Sequence, residues 1–155
     1  ARDGRSGAVD LPRALPQRDN LDFSFSGLKT AVRLHLESLG PEPSHAQLAD
    51  LARGLQEAVV DSLVSKTRRA LDRHAGLGLR GLYLAGGVAA NGPLRTSIGE
   101  LAAERGLDFR PPPMAFCTDN AAMIGWAGRL RLLTQGPDPL TLPAFARAEL
   151  SSWAS

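Results

Sequence analysis

Residues 79–93, LRGLYLAGGVAANGP, are the part of the sequence that indicates the fold class most clearly. It begins as a short apolar run, passes through Gly86-Gly87, and ends in an Asn-Gly-Pro sequence that is typical of a helix start. A buried strand that leads through a glycine turn into a helix is one unit of an α/β fold. We therefore predict a strand over 79–85 and a helix that begins near Pro93.

Two further segments read as strands. Residues 21–26 (LDFSFS) alternate between apolar and polar side chains, which favours a half-buried strand. Residues 107–110 form a short run that three consecutive prolines end. Together with the strand at 79–85, they predict a largely parallel sheet.

Four segments carry apolar residues at the spacing of an amphipathic helix. Their predicted starts are Leu28, the capping box at Ser44, Asn91, and either Thr118 or Asp119. The order strand–helix–helix–strand–helix–strand–helix predicts an α/β domain.

Composition narrows the class of protein. The 155 residues are 43% hydrophobic and 22% charged, with a formal net charge of +2, which describes a globular domain and gives no charge signal for nucleic-acid binding. The single cysteine, Cys117, excludes an internal disulfide and favours a small buried side chain in a reducing, cytoplasmic compartment. No apolar run is long enough to predict a membrane span, and residues 1–7 have no signal-peptide character and no initiator Met.

Two loops follow the carboxyl ends of the predicted parallel strands, where ligands bind in such sheets. In the first loop, Gly86 and Gly87 would let a ligand approach the backbone, and Asn91 could bind a ribose hydroxyl or a phosphate. The alternative is a plain turn in which Asn91 only caps the following helix. The patterns GxGxxG and GK[ST] are both absent, so neither a dinucleotide fingerprint nor a P-loop is predicted.

The second loop, residues 111–119, ends in Asp119 at a predicted helix start. A carboxylate there suits a metal ion or a general base, and the alternative is again a helix cap. Lys29, which follows a turn of small residues, is a third candidate, for phosphate contact or simply as a solvated side chain.

Three motifs resemble one known family: DFSFSGLKT (22–30), LAGGVAAN followed by LR (84–95), and FCTDNAAMI (116–124). They are similar to the TsaD family, also called Gcp, YgjD or OSGEP, which comprises the tRNA N6-adenosine threonylcarbamoyltransferases. The likeness runs from about Leu11 to Gly136.

The resemblance implies a fold and a reaction. The fold would be an actin/Hsp70-like ATPase lobe of ribonuclease-H-like type, with a mixed sheet flanked by helices. The reaction would move the threonylcarbamoyl group from threonylcarbamoyl-AMP to N6 of adenosine 37 in tRNAs that read ANN codons. Implied partners are tRNA and, in bacteria, a TsaB-like pseudo-enzyme paralogue and a TsaE-like ATPase.

The resemblance also implies roles for individual residues. Asn91 would contact the bound ATP or adenylate, with Gly86 and Gly87 lining the same pocket. Asp119 would be one ligand of a single divalent ion, iron or zinc. No catalytic residue is assigned in this chain.

Other family motifs have no counterpart here. The HxxxH pair that would complete the metal site and a GYPGGP-like nucleotide-binding stretch are both missing. We therefore expect the C-terminal lobe only, inactive alone, with residues 1–20 continuing an absent lobe, 21–136 forming the actin-like lobe, and 137–155 forming a tail. Apolar surface is expected on the side that faces the absent lobe, and it predicts either a homodimer or aggregation.

Two other interpretations stay open. The missing histidines favour a non-catalytic nucleotide-binding or protein-interaction module of the same superfamily. A related O-carbamoyltransferase is the other, although the FSFSGLK stretch argues against it. The compartment would be the cytoplasm, or alternatively the mitochondrion.

Overall fold

The computed structural model describes residues 1–13 and 21–141. The chain divides into two compact units, Ala1–Cys117 and Thr118–Ser155. Parts of two predicted regions lie outside the described residues: 14–20 of the N-terminal segment and 142–155 of the tail.

The first unit contains three helices and two short strands. In chain order they are α1 (Ser26–Ser38), α2 (His45–Arg73), β1 (Gly81–Tyr83), α3 (Gly92–Glu104) and β2 (Asp108–Arg110). The second unit contains α4 (Ala121–Gln135). None of the helices in the described ranges combines the length and apolar character that crossing a membrane requires.

The two strands pair in parallel, with Gly81 opposite Asp108 and Tyr83 opposite Arg110. A parallel pair needs a crossover between its strands, and α3 provides it. The protein is therefore of mixed α/β type with a small parallel sheet, as the sequence predicts. The described strands show parallel pairing alone, so the mixed sheet implied by the resemblance would need further strands.

The strand predicted over residues 21–26 is wrong. Residues 21–25 form neither helix nor strand, and α1 begins at Ser26. The two aromatic residues of the alternating pattern still lie together, because the rings of Phe23 and Phe25 stack with their centroids 6.4 Å apart. A strand needs a neighbouring strand for its backbone groups, and among the described residues only β1 and β2 pair.

The capping box at Ser44 is confirmed. The Ser44 Oγ accepts a hydrogen bond from the Gln47 backbone N–H at 3.3 Å, and the Gln47 Oε1 accepts one from the Ser44 backbone N–H at 2.8 Å. These reciprocal bonds satisfy two backbone donors that would have no partner within the helix. They open the longest helix of the described chain, the 29-residue α2.

Residues 1–13 lie along α2 without forming a helix or strand. The approach is close, because a Cβ added at Gly54 would lie 2.5 Å from the Val9 carbonyl oxygen. Arg5 forms an ion pair with Asp50 at 2.6 Å, and its side-chain hydrogen bond lowers the pKa of that carboxyl below the ordinary value. The main core cluster of this unit consists of Leu11, Leu28, Leu51 and Ala58.

Helices α3 and α4 differ in burial. The buried residues of α3 are Leu94, Ile98, Leu101 and Ala102. A Cβ at Gly99 would lie 3.3 Å from the Phe109 ring, so this glycine permits close packing of α3 on β2. In contrast, α4 has no buried residue, and its exposed apolar side chains are Met123, Ile124, Trp126, Leu130, Leu132 and Leu133.

Candidate functional site

The loop between β1 and α3 turns sharply at Gly86. Its dihedral angles, φ 85° and ψ 174°, lie in a region that essentially only glycine adopts. A 3-10 turn over Gly87–Ala90 follows, in which the Ala89 N–H donates to the Gly86 carbonyl oxygen at 2.9 Å. A Cβ added at Gly86 or Gly87 would meet no atom within 4 Å, so the backbone there is open to a ligand.

Asn91 ends this loop and caps α3. Its Oδ1 accepts a hydrogen bond from the Leu94 backbone N–H at 2.9 Å, and its Nδ2 donates to the Gln56 Oε1 at 3.4 Å. The capping role is therefore real. A carboxamide has two N–H groups and two lone pairs on oxygen, so these two bonds leave one donor and one lone pair for a ligand.

A cavity of about 220 Å³ opens beside Asn91 in the first unit. Its apolar lining comes from Ala52, Leu55, Val59 and Val60 of α2 with Val88, Leu94 and Ala1, and its polar lining comes from Gln56 and Asn91. Ligand pockets commonly span roughly 300–1,000 Å³. This smaller cavity can enclose a ring-sized part of a ligand, while the rest of the ligand would lie over the open glycine loop.

Gln56 is a site residue that the sequence analysis missed. It lies on α2 between Ala52 and Val60, which also line the cavity, one helical turn away on either side. A polar residue in the middle of an apolar helix face was the available signal. The signal is weak, because half-buried glutamines often serve only packing.

Arg95 is a second missed residue, and it contacts both predicted loops. Its Nε donates to the Ala89 carbonyl oxygen in the first loop. Its Nη2 donates to the Pro112 carbonyl oxygen at 2.6 Å and to the Cys117 Sγ at 3.0 Å. Cys117 is buried, as predicted.

Asp119 belongs to the second unit and is not a helix cap. The cap of α4 is Asn120, whose Oδ1 accepts from the Met123 backbone N–H at 3.2 Å and whose Nδ2 donates to the Thr118 carbonyl oxygen at 3.0 Å. The prediction that Thr118 or Asp119 caps this helix is therefore wrong, because the amide one position further on takes that role. Asp119 is exposed, and within the described ranges its carboxylate forms no hydrogen bond or ion pair.

A single carboxylate does not make a metal centre. No three His, Cys, Asp or Glu side chains come together within residues 1–13 and 21–141. Divalent metal sites in proteins need three or four ligands. The described residues therefore do not fit a metal ion by themselves. Lys29 lies exposed on α1, which is the solvated alternative for this residue.

Comparison with known proteins identifies close relatives. A profile of the TsaD family, described as tRNA N6-adenosine threonylcarbamoyltransferase, matches residues 1–126. Proteins named tRNA N6-adenosine threonylcarbamoyltransferase are 46% identical in Methylorubrum populi, over 95% of this chain, and 48% identical in Magnetococcus marinus, over 85% of it. A relative of the same name from Paramagnetospirillum magneticum is 44% identical over 99% of the chain.

The coverage of these relatives is partial. The match spans 43% of the Methylorubrum protein, 36% of the Magnetococcus protein and 45% of the Paramagnetospirillum protein. All three motifs fall within the profile match, which covers most of the chain. This chain belongs to the TsaD family and spans less than half the length of these relatives.

Proposed function

We propose that this chain supplies the nucleotide-binding part of a tRNA N6-adenosine threonylcarbamoyltransferase with an actin/Hsp70-like, ribonuclease-H-like fold. The observation that carries the proposal is the open glycine loop at the carboxyl end of β1, which leads to Asn91 at the mouth of a cavity. Ligands bind at this edge of parallel sheets. Membership of the family supports the same role.

The chemistry of this loop suits a nucleotide. The N-terminus of α3 is the positive end of the helix dipole, which favours an anion such as a phosphate. The free donor and lone pair of the Asn91 carboxamide suit a ribose hydroxyl or a phosphate oxygen. Gly86 and Gly87 let such a ligand approach the main chain without a side chain in the way.

In the proposed reaction, the N6 amino group of adenosine 37 attacks the carbamoyl carbon of threonylcarbamoyl-AMP. The new N–C bond forms, the bond between that carbon and the adenylate oxygen breaks, and AMP leaves as N6 loses a proton. The part of this chain is to hold the adenylate. The substrate would be a tRNA that reads ANN codons.

Asp119 is proposed as one ligand of a single iron or zinc ion that histidines outside this chain complete. Its exposed carboxylate has no partner in the described residues, and Asn120 already supplies the helix cap. Because one carboxylate holds a metal poorly, this chain is expected to bind iron or zinc only weakly by itself.

The proposal also covers partners and compartment. The relatives come from bacteria, and a bacterial enzyme would work with a TsaB-like paralogue and a TsaE-like ATPase in the cytoplasm. A mitochondrial location is the alternative. The exposed apolar side chains of α4 support either a homodimer or contact with such a paralogue.

The isolated chain is proposed to be inactive. A threonylcarbamoyl-transfer assay with this chain, threonylcarbamoyl-AMP and tRNA is expected to show no product. Robust turnover without added protein would contradict both the missing-ligand argument for Asp119 and the interpretation of this chain as a lobe that is inactive alone.

Replacing Asn91 in two ways tests nucleotide binding. Asn91→Ser keeps a good cap for α3, whereas Asn91→Ala removes it and costs about 1 kcal/mol of stability. Both variants lose the carboxamide, so both are expected to weaken ATP binding about tenfold. The measurement is an ATP titration followed by the NMR signals of the Gly86, Gly87 and Ala89 amides.

The outcomes of this titration separate the candidate functions. Unchanged ATP binding by Asn91→Ser would show that Asn91 acts only as a cap. No binding by the parent chain would favour the second candidate, a protein-interaction module, for which the exposed apolar side chains of α4 are the specific observation.

A further inference from the structure

Arg95 lies in the first turn of α3, between the two loops of the first unit. Its guanidinium donates to the Ala89 carbonyl oxygen on one side, and to the Pro112 carbonyl oxygen and the Cys117 sulfur on the other. The two sides are separated by more than twenty positions in the sequence. One side chain therefore bridges the end of the glycine loop and the segment Pro112–Cys117, which leads into Asp119.

The chemistry of these contacts requires arginine. The guanidinium carries donors in a rigid, planar fork, so Nε and Nη2 can serve two different loops at once. A lysine ammonium is a single point at the end of a flexible chain and would reach one side or the other. In the described ranges, Arg95 has no carboxylate partner among the ion pairs, and its acceptors are two carbonyl oxygens and a sulfur.

Helix stability does not explain a cation at this position. Positive charge near the N-terminus of a helix is unfavourable, because the helix dipole is positive at that end. Arg95 is also half-buried, so its charge is partly removed from water. The bridge between the loops compensates for both effects.

We propose that Arg95 is a positioning residue that joins the Gly86–Asn91 loop to the segment Pro112–Cys117, so that a ligand at the first loop also stabilises the second. The stabilisation of the second loop by a ligand at the first loop rests on the proposed nucleotide function. The bridge itself stands on the three hydrogen bonds and does not require a ligand.

The single cysteine of the chain provides a direct readout. Cys117 is buried, and Arg95 donates a hydrogen bond to its sulfur, so the rate at which a thiol reagent such as Ellman's reagent labels it reports opening of this segment. Arg95→Met, which removes every donor, is expected to raise the labelling rate of the native 155-residue chain about tenfold. Removing a nearby cation does not by itself speed the reaction of a thiol, so faster labelling reports exposure.

Two further variants separate positioning from general stability. Arg95→Lys keeps the charge and is expected to restore less than half of the lost protection, because it reaches only one side. Arg105→Met is the matched control, since Arg105 follows the other end of α3 and forms an ion pair with Asp72 at 2.6 Å. Its labelling rate is expected to stay within about twofold of the parent, because the ion pair of Arg105 with Asp72 holds neither loop.

The dependence of the labelling rate on urea concentration distinguishes local opening from global unfolding. Labelling of Arg95→Met in low urea is expected to rise only slightly with urea, because local opening exposes little surface. A labelling rate that follows the global unfolding curve, measured by circular dichroism, would overturn the proposal. A parent-like rate for Arg95→Met would overturn it as well.

Addition of ATP tests whether a ligand at the first loop stabilises the second. Saturating ATP is expected to slow labelling of the parent chain at least threefold and to have no effect on Arg95→Met. ATP that binds the parent without changing its labelling rate would overturn this stabilisation. If ATP does not bind at all but the variants still differ without it, the proposed nucleotide function fails while the bridge is supported.

Discussion

Helices α3 and α4 are capped in the same way, but the candidate binding residue at each helix start differs in its burial and in its role as a cap. Each helix has an asparagine cap that accepts from the backbone N–H three residues later, Asn91 from Leu94 and Asn120 from Met123. In α3 the capping residue Asn91 is also the candidate nucleotide-binding residue, and it is half-buried beside a cavity. In α4 the cap is Asn120, and the candidate ligand is its exposed neighbour Asp119.

The helices that these caps open also differ. The apolar face of α3 is buried in the first unit, whereas the apolar side chains of α4 are exposed. A polar residue before an apolar helix is therefore a sequence signal that does not distinguish a helix cap from a ligand-binding residue. The distinction comes from which neighbouring side chain supplies the cap and from what covers the helix.

The largest expected difference in unfolding free energy is between substitutions in the apolar faces of α3 and α4. Leu101→Ala removes a side chain that is almost fully buried in α3 and is expected to cost about 2–5 kcal/mol of unfolding free energy. Leu132→Ala removes one that is exposed on α4 and is expected to change it by no more than about 0.5 kcal/mol. Urea unfolding followed by circular dichroism measures both, and equal costs would mean that α4 is covered in solution.

A smaller difference in stability is expected between substitutions of the two glycines in the loop that precedes α3. Gly86→Ala forces an alanine into a glycine-only backbone region and is expected to cost about 1–3 kcal/mol. Gly87→Ala is the matched control, because the added methyl group meets no atom and the φ angle is not positive. Thermal unfolding of the two variants is the measurement, and a loss in Gly87→Ala as large as that in Gly86→Ala would contradict the assigned turn.

The smallest expected effect tests the division of roles before α4. Asn120→Ala removes the cap and is expected to cost about 1 kcal/mol of helix stability. Asp119→Asn removes only an exposed charge and is expected to change stability by no more than about 0.5 kcal/mol. Because α4 is exposed, the readout is the amide hydrogen exchange of residues 121–125, and the reverse order of protection would show that Asp119 is the cap.

Much of the helical structure follows from local signals. The capping box at Ser44 and the cap at Asn91 lie within three residues of the groups that they bind, so a pattern in the sequence is sufficient to find them. The strand over 79–85 is present but shorter, at Gly81–Tyr83. The glycine turn at Gly86 was predictable because its backbone angles essentially demand that residue type.

Other features depended on partners that are distant in sequence. Alternation over residues 21–26 predicts a strand, yet strands also need a neighbour, and the described structure gives this segment none. The contact between Gln56 and Asn91 joins residues 35 positions apart, and that between Arg95 and Cys117 joins residues 22 apart. No local pattern marks such pairs.

The sequence by itself determined the family, the α/β class, and the candidate residues Gly86, Gly87, Asn91 and Asp119, because motifs, caps and glycine turns are local properties of the chain. The tertiary structure alone decided that Asn91 faces a cavity together with Gln56 and that Arg95 bridges the two loops. These outcomes depend on hydrogen bonds and burial between segments, which exist only after the helices pack on one another and on the sheet.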